Sequence, residues 1–573
     1  KFLLGFFSVF CSNIAIANIA DQIRNTPTID PGQIDTRVLS QTPPAPAVSE
    51  SAPDVASPQP GSLPAEAARI KFKLKHVLIE GNTVYRKGEL HAFITPHLNK
   101  EISLQDIQNL AQAITKKYRS DGYVISHAIL PPQRIKDGVV RIQVLEGFVS
   151  RVAVKGKPGF GAPMVQTYGN KILDKKPLSI QALERSLLLA NDIPGMTARG
   201  ILTPSKTVPS GADLILATEQ KHVSGFISYD NYGSRYLGPN RISVGADAYS
   251  IFRPGDTTAL RSSITKDNRE LFSLGLSHST LLGSDGARLT VGGSISNTAP
   301  GFVLRNADVR GRSEFIFVDV SYPVIRSRPK NLLIHASVNA LNSRTNVATI
   351  PIYDDRVRYL KAGATFSALD KWKGMNLVGF DFSQGLKGLD TREATKQIPF
   401  SRANGRVDFS KLEANASRLQ ALGTQFSAMA AVRGQYAFTP LLSAQQFGIG
   451  GSELGRGYTP SEILGDHGLG AKFELRWSPK TLPMRLQQMQ LYGFYDIGTI
   501  WNTDKTVASM SIGSKISKTS LASTGAGIRF QIMKNVSGDV FVAQPLTRLV
   551  ATEVSANQNA KRPMGFFQIT LAL

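Results

Sequence analysis

The chain has 573 residues, a mean hydropathy of −0.10 and a formal net charge of +23 at neutral pH. It is too long for one compact core, so several folded units are expected. After the N-terminal segment there is no apolar run of about 18 residues, which argues against a helical membrane protein but allows a β-barrel, whose strands alternate apolar and polar residues. The basic excess would suit anionic lipid head groups or an acidic client protein, and equally a plain solvated surface.

Residues 1–20 are predicted to be a signal peptide. Lys1 precedes an apolar stretch that ends in Ala15-Ile16-Ala17, small residues of the type that signal peptidase cuts. The only cysteine, Cys11, lies in this stretch, so the exported protein would have no disulfide, cysteine nucleophile or thiolate metal site. None of the eight histidines lies in a metal-binding spacing. We therefore expect no cofactor, no metal and no catalytic residue.

Residues 21–68 are predicted to be a linker. Their core, QTPPAPAVSESAPDVASPQPGSLPAEAA, is rich in Pro, Ser and Ala and lacks apolar periodicity. Ahead of this core, residues 31–39 could form one or two helical turns that start at Pro31, and such a short helix would be marginal on its own.

Two small α+β domains are predicted next, at 69–147 and 148–222. In the first, a strand ends at a Gly-Asn turn and is followed by two helices and two strands. Ser103 is predicted to cap the second helix, with Asp106 three positions later. One apolar stripe follows this helix through Leu104, Ile107, Leu110, Ala111, Ile114 and Tyr118. The same β-α-α-β-β order recurs in the second domain, which indicates an internal repeat.

Residues 223–573 are predicted to form an antiparallel transmembrane β-barrel. Helical periodicity stops after residue 222, and segments of about ten residues alternate in polarity between Gly, Asn, Asp and Pro turns. Such lengths suit a tilted crossing of the hydrocarbon layer better than a soluble sandwich, whose strands average about five or six residues. Sixteen segments are predicted, an even number as such a barrel needs. Among them are segments near 312–321, 331–341, 359–368 and 404–414.

The longest connection within the barrel runs from residue 439 to 465 and contains FGIGGSELGRGYTPSEILG. One interpretation is a surface loop with an incidental arginine. The other is a loop folded into the barrel, where glycines allow close backbone approach and Arg456 finds a carboxylate.

Two carboxylates are candidates for that partner. Asp496 shares its parity with Gln490, Tyr492 and Phe494 along one predicted strand, and this face is expected to line the lumen. Glu474 on the preceding strand is inward by the same alternation. A carboxylate shielded from water needs a partner, and the pattern does not choose between the two.

Together these features resemble the two-partner secretion transporters, the haemolysin-activator and filamentous-haemagglutinin transporter family. It belongs to the superfamily of POTRA-bearing outer-membrane assembly proteins. The two α+β domains look like its POTRA domains, including the turn Ile79-Glu80-Gly81-Asn82-Thr83, and residues 230–238 look like the start of its first barrel hairpin. Gly455-Arg456-Gly457-Tyr458 is similar to the family's Val-Arg-Gly-Tyr/Phe tetrad at the tip of the sixth extracellular loop, with glycine in place of valine.

The resemblance implies that this loop folds into the barrel and that Arg456 pairs with Asp496. The aspartate would lie in a Gly-x-x-Asp-x-Gly-like strand motif whose glycines here are Gly493 and Gly498. It also implies that residues 29–39 are the candidate for a helix that plugs the pore.

The implied fold is a 16-stranded barrel in the outer membrane of a Gram-negative bacterium, preceded by two periplasmic POTRA domains and a Pro-rich linker. The implied function is secretion of a partner exoprotein of haemolysin or adhesin type, recognised by the POTRA domains. Other expected partners are outer-membrane lipid or lipopolysaccharide and, during biogenesis, the barrel-assembly machinery. Nucleic acid is not expected.

Three rival functions are considered. A barrel-assembly factor of the same superfamily shares the architecture, although two POTRA domains and a Pro-rich tether favour secretion. A passive porin would not need the two preceding domains. A barrel-bound hydrolase lacks support because the chain contains no GxSxG motif.

Overall fold

The structure is a computed structural model that describes residues 29–34, 54–55, 69–267, 269–482, 486–503 and 518–573. The predicted signal peptide and residues 35–39 of the predicted helical turn lie outside the described residues. Among the helices of the described part, none is long and apolar enough to cross a membrane.

The first α+β domain is built around a helix that the sequence predicted in detail. Its elements are β2 Lys71–Lys73, β3 His76–Glu80, α1 Lys87–Ile94, β4 Glu101–Ser103, α2 Leu104–Ser120, β5 His127–Ile129 and β6 Val139–Leu145. At the start of α2, Asp106 N–H donates to the Ser103 hydroxyl (3.2 Å) and the Asp106 carboxylate accepts from Ser103 N–H (2.8 Å). The predicted cap is therefore confirmed as a capping box. The sheet order is β3-β6-β5, while β2 and β4 form a separate pair that was not predicted.

The second α+β domain repeats this order and adds a strand from the linker. Its elements are β7 Phe148–Lys157, α3 Ala162–Asn170, α4 Ile180–Asn191, β8 Met196–Pro204 and β9 Gly211–Gln220. Strand β1, Asp54–Val55, pairs in parallel with β8 at Ile201 and Leu202, so the sheet order is β1-β8-β9-β7. The linker was predicted to lack structure. An exposed strand edge pairs with extended backbone whatever its side chains, so no apolar pattern marks β1 in the sequence.

The predicted 16-stranded barrel is confirmed. Within the described residues sixteen antiparallel strands close on themselves, with β10 pairing β27 from Phe226 opposite Ala572 to Asp230 opposite Gln568. The strands are β10 Val223–Asp230, β11 Arg241–Tyr249, β12 Thr257–Thr265, β13 Leu271–Leu282, β14 Ala287–Thr298, β15 Val309–Arg326, β16 Lys330–Val347, β17 Ile350–Leu369, β18 Gly374–Leu386, β19 Ser410–Ala421, β20 Phe426–Ala437, β23 His467–Trp477, β24 Gln488–Trp501, β25 Lys518–Met533, β26 Val536–Pro545 and β27 Met564–Ala572. We call the end from which β10 leaves the second domain the proximal rim and the other end the distal rim.

Four strand predictions differ from the structure. Strands β15, β16 and β17 have 18 to 20 residues rather than about ten, because charged residues continue them beyond the apolar part. The segment predicted at 404–414 was wrong, since β19 starts at Ser410. The apolar residues just before it, Phe400, Val407 and Phe409, are buried in a loop against the barrel interior, so their pattern reflects loop packing rather than a strand.

The second domain is tied to the proximal rim by ion pairs. Arg326 donates from Nε and Nη2 to the two carboxylate oxygens of Asp192, both at 2.7 Å. Lys171 Nζ lies 2.5 Å from Asp285 Oδ1, and Arg185 donates to the Pro323 carbonyl at 3.3 Å. These contacts fix the domain beneath the barrel.

We expect Ser103→Ala to lower the stability of the first α+β domain by about 1 kcal/mol, because the capping hydroxyl at the start of α2 is lost. Hydrogen exchange of the α2 amides in the intact protein measures this change. Ser120→Ala at the other end of the same helix is the control, since its hydroxyl is exposed and donates to the Lys117 carbonyl at 2.8 Å and to Asp121 Oδ1 at 3.4 Å, without capping the start of the helix. Equal exchange in both variants would contradict the prediction.

Candidate functional site

The connection between β20 and β23, residues 438–466, is folded into the barrel, and we call it the inward loop. Inside it, β21 Phe447–Ile449 pairs with β22 Ile463–Gly465 as a small hairpin. Most residues of the loop are buried, and Ile449, Tyr458 and Ser461 are almost fully so. The structure therefore places the tip of the loop in the lumen, against strands β23 to β26.

Arg456 at the loop tip meets both candidate carboxylates. Its Nε and Nη2 donate to the Asp496 oxygens at 2.9 and 2.7 Å, and its Nη1 donates to Glu474 Oε1 at 2.6 Å. All three side chains are buried, with Asp496 fully so. The inward parity predicted for both carboxylates agrees with their burial. The choice that the sequence left open is resolved by geometry, since one guanidinium has enough donors for two carboxylates.

Backbone groups complete the Asp496 site. The N–H groups of Gly455 and Arg456 both donate to Asp496 Oδ2, at 3.1 and 2.9 Å. The Arg456 guanidinium carbon also lies 3.7 Å from the centre of the Phe494 ring, a cation–π arrangement. The loop tip is thus held by charge, hydrogen bonds and ring contact at one point of the barrel wall.

Glu474 connects this point to two further arginines. Arg529 Nη1 lies 3.1 Å from its Oε2, and Arg476 Nη2 lies 2.7 Å from the same oxygen. Arg529 also lies over the Tyr492 ring at 3.9 Å. Asp496, by contrast, has no other ion-pair partner than Arg456 among the described residues. Asp496 is therefore the carboxylate that depends on the loop.

The glycines of the predicted motifs differ in what they do. Gly455 and Gly457 have φ of +86° and +101°, a left-handed conformation that costs little only for glycine. A Cβ on Gly498 would lie 2.6 Å from Ile449 Cδ1, so Gly498 lets the loop hairpin approach the wall. A Cβ on Gly493 would meet nothing closer than the Gly525 carbonyl at 4.0 Å. Gly493 is therefore not needed for packing here.

Tyr458, the last residue of the predicted tetrad, fixes the loop to a second place. Its hydroxyl lies 3.1 Å from the Ala522 carbonyl and 3.2 Å from the Arg548 carbonyl, and it accepts from Arg548 N–H at 3.1 Å. The ring is 1% exposed. The tyrosine thus joins the loop to β25 and to the connection between β26 and β27.

A second ion pair, which the sequence analysis missed, closes the base of the inward loop. Asp466 is fully buried and pairs with Arg402 from the connection between β18 and β19. It also accepts from Leu441 N–H at 3.0 Å and from Thr503 N–H at 2.9 Å. Its position where the long loop meets β23 was the only signal available, because its arginine partner lies 64 residues away.

Residues 29–34, which we call the lumen segment, also lie inside the barrel. Residues 31–34 are helical. The Gln33 amide donates to the Ser443 carbonyl of the inward loop at 2.8 Å, and Ile29 packs with Val347 and Ile352 near the distal rim. The lumen segment therefore contacts both the barrel wall and the inward loop.

Comparison with known proteins places this architecture. Residues 213–530 match the model of the haemolysin secretion/activation proteins ShlB/FhaC/HecB, and residues 72–147 match the ShlB-type POTRA domain. The heme/hemopexin transporter protein HuxB of Haemophilus influenzae (strain 86-028NP) is 25% identical over 493 residues, 83% of this chain and 84% of the relative. The outer membrane transporter CdiB of Dickeya dadantii (strain 3937) is 22% identical over 77% of this chain and 78% of its own.

The fold is similar to that of CdiB from Escherichia coli, with a TM-score of 0.69 and 17% identity over 98% of both chains. The barrel crosses the outer membrane, and the proximal rim faces the periplasm, where the POTRA domains lie. Because the family model covers more than half of the sequence, including most of the barrel, this chain belongs to the haemolysin secretion/activation family of ShlB, FhaC and HecB.

Proposed function

We propose that this chain is the outer-membrane transporter that secretes a partner exoprotein of haemolysin or adhesin type from the periplasm to the cell surface. The observation that carries the proposal is the buried contact of Arg456 with Asp496 and Glu474. It holds the inward loop inside the barrel, so it works as a lock on the path that an exported chain must take.

The energetics of the Arg456 ion pair allow the inward loop to be released and to return. A buried ion pair adds little net stability compared with apolar packing, because both charges lose their hydration. Separating it without replacement is nevertheless costly, since each charge stays buried and unpaired. A passing polypeptide with its own polar groups, or water entering the lumen, supplies the missing partners. The loop is therefore stable at rest and releasable during export.

The POTRA domains are proposed to receive the client as an added strand. The pairing of β1 with Ile201 and Leu202 supports this, because it is an extended segment already bound to a POTRA sheet edge through backbone contacts. A client segment would use the same kind of contact on the edges that β3, β5 and β7 leave in the two sheets.

The lumen segment is proposed to plug the pore at rest. Asp30 and Gln33 are buried, and a Cβ on Gly32 would lie 2.7 Å from Ala444 Cβ, so the segment fits closely against the inward loop. The predicted plug covered residues 29–39, of which only the first six are described. Movement of the inward loop would disturb the plug through Gln33.

Two further partners are proposed from the outer-membrane location. The outer wall of the barrel contacts lipid and lipopolysaccharide, and the barrel-assembly machinery inserts the chain during biogenesis. The proposal assigns no catalytic step and no cofactor to the chain. The partner exoprotein supplies the free energy of export by folding outside the cell.

The proposal is tested by expressing the chain with and without an exoprotein encoded beside its gene. Secretion of that exoprotein only when the chain is present supports a transporter. Loss of other barrels from the outer membrane on deletion, with unchanged exoprotein secretion, would instead indicate an assembly factor. The family match and the transporter relatives favour the first outcome.

We expect Arg456→Ala to give an inserted barrel that no longer exports its client. Removing the guanidinium leaves Asp496 buried without a cation, which costs about 3–5 kcal/mol and displaces the loop tip. Export is measured as exoprotein in the medium, and barrel folding as the heat-dependent shift on a denaturing gel. Arg433→Ala is the control, because its pair with Glu453 is solvent-exposed and contributes under about 1 kcal/mol. Normal export by Arg456→Ala would refute the lock.

We expect Gly455→Val, which restores the residue usual in the family, to weaken export rather than improve it. Valine is strained at a φ of +86° by about 1–3 kcal/mol, and a Cβ would lie 2.9 Å from Leu521 Cδ1. Gly493→Val on the outer face of β24 is the control and is expected to export normally. The two variants are compared by exoprotein in the medium, and equal export would contradict this use of Gly455.

We expect the plug to open more readily at pH 7.5 than at pH 5. Burial raises the pKa of the Asp30 carboxyl to about 6, and no cation lies within 4 Å of it among the described residues. Docking is therefore strongest when Asp30 is protonated and weakens as pH rises through this pKa. Channel conductance in planar bilayers should be lower at pH 5.

Asp30→Asn should keep the low conductance at both pH values, because the amide cannot ionise. Asp308→Asn at an exposed site serves as its control and should behave like the unaltered protein. If the conductance of Asp30→Asn still changed with pH as in the unaltered protein, another titrating group would be responsible.

A further inference from the structure

The outer wall of the barrel changes from apolar to basic along its longest strands. On β15 the outward residues from the proximal rim include Val320, Val318 and Ile316, all well exposed, and then Glu314, Arg312 and Arg310. Arg312 lies four residues beyond Ile316, about 13 Å along the strand and roughly 10 Å above it when the tilt is considered. The arginine thus lies where the apolar band ends and lipid head groups begin.

Strand β16 carries the same change, and its register places a second arginine beside the first. Outward Val338 and Ala340 are followed by Asn342 and Arg344, and Arg344 is directly opposite Arg312. Like charges directly opposite on antiparallel strands destabilise the pair, because their Cβ atoms are only about 5 Å apart. A bound anion would remove this repulsion.

The charges around this pair neutralise it only in part. Arg312 pairs with Glu314 at 2.7 Å and Arg310 pairs with Asp308 at 2.9 Å. Asp354 of β17 is directly opposite Arg344, but its carboxylate is paired with Arg356 and Arg392, and within the described residues Arg344 has no carboxylate within 4 Å. These arginines line one cleft of about 1140 Å³ on the distal side of the barrel. Its charged lining is five arginines (Arg269, Arg305, Arg310, Arg312 and Arg344) and three carboxylates (Asp267, Glu270 and Asp308), so the cleft has a net positive charge.

The basic cluster is local to this side of the barrel. Residues directly opposite one another on successive strands form a row around the barrel, and the row that contains Arg312 is aliphatic or aromatic on the first four strands. That row runs through Tyr229, Ile242, Ile264 and Phe272 and then through Asn297, Arg312 and Arg344. Along this row the charged residues are therefore confined to Arg312 of β15, Arg344 of β16 and Asp354 of β17.

We propose that Arg312 and Arg344, flanked by Arg310 and Arg269, bind the phosphate groups of lipid A in the outer leaflet. Guanidinium groups form paired, charge-assisted hydrogen bonds to phosphate oxygens, and anionic lipid head groups bind such basic sites next to an apolar surface. The acyl chains then lie on the apolar part of β15 and β16. This inference rests on the lipid contact proposed above and is independent of client export.

The test uses the full-length protein in detergent. Binding of bisphosphorylated lipid A, of lipid A without phosphates and of inorganic phosphate is measured for the unaltered chain and for Arg312→Gln/Arg344→Gln. Lys330→Gln/Lys371→Gln, which removes two charges at the proximal rim, is the matched control. Exoprotein secretion and the heat-dependent gel shift are recorded for every variant.

We expect the arginine variant to bind bisphosphorylated lipid A at least about tenfold more weakly, since it loses charge-assisted hydrogen bonds, while the control binds normally. Phosphate-free lipid should bind all three proteins equally. Equal binding of bisphosphorylated lipid A by the arginine variant would overturn the site, and saturation by inorganic phosphate alone would assign it to a free anion.

Glu314→Gln keeps the proposal testable should the double variant fail to fold. It frees Arg312 from its carboxylate and is expected to tighten binding of bisphosphorylated lipid A severalfold. Unchanged or weaker binding would contradict the role of Arg312. Export should be normal in these variants, so a loss of lipid binding with export retained separates this site from the transport function.

Discussion

The structure depends on one buried polar contact, that of the Arg456 guanidinium with Asp496 and Glu474. The two carboxylates lie on neighbouring strands, so the arginine also joins β23 to β24 from inside. Without Arg456, Glu474 would keep Arg476 and Arg529, but Asp496 would remain buried without an ion-pair partner, which is unfavourable in a low dielectric. The tip of the inward loop supplies that cation, so Asp496 is satisfied only when the loop lies inside the barrel.

Other contacts extend the same arrangement. Asp466 and Arg402 hold the base of the inward loop, Tyr458 holds its far side, and Gln33 joins the lumen segment to it. The lumen thus contains these polar contacts beside apolar clusters, such as the one formed by Ile449, Leu454 and Ile463. The polar contacts are consistent with a conduit, because each of these groups can exchange its protein partner for water or for a passing chain.

The sequence predicted those features that follow from strand alternation. Period-two polarity was enough for the number of barrel strands and for the inward direction of Asp496 and Glu474. The capping box at Ser103 was also readable, because its two residues are three positions apart. The repeat of the α+β domains was readable from the order of their elements.

The features that could not be predicted from the sequence are contacts between residues far apart in the chain and contacts made by the backbone alone. The Arg402–Asp466 pair joins two loops without a local signature. Strand β1 forms because its backbone pairs with the edge of β8, and its own residues show no alternation of polarity that would predict a strand. Near the distal rim, β15, β16 and β17 have charged residues on their outward face. Both faces are then polar, so the alternation that identifies a strand in the sequence is lost.

The ties between the second POTRA domain and the proximal rim differ in kind from the contacts in the lumen. The side chains of Arg326, Asp192, Lys171 and Asp285 are between about a quarter and three-fifths exposed, so dissolved salt screens them, with a Debye length of about 8 Å at physiological ionic strength. Small ions pass the outer membrane freely, and the periplasm follows the salinity of the surroundings. A rise in the salt concentration of the medium therefore weakens the ties between this domain and the barrel more than it weakens the buried contact of Arg456.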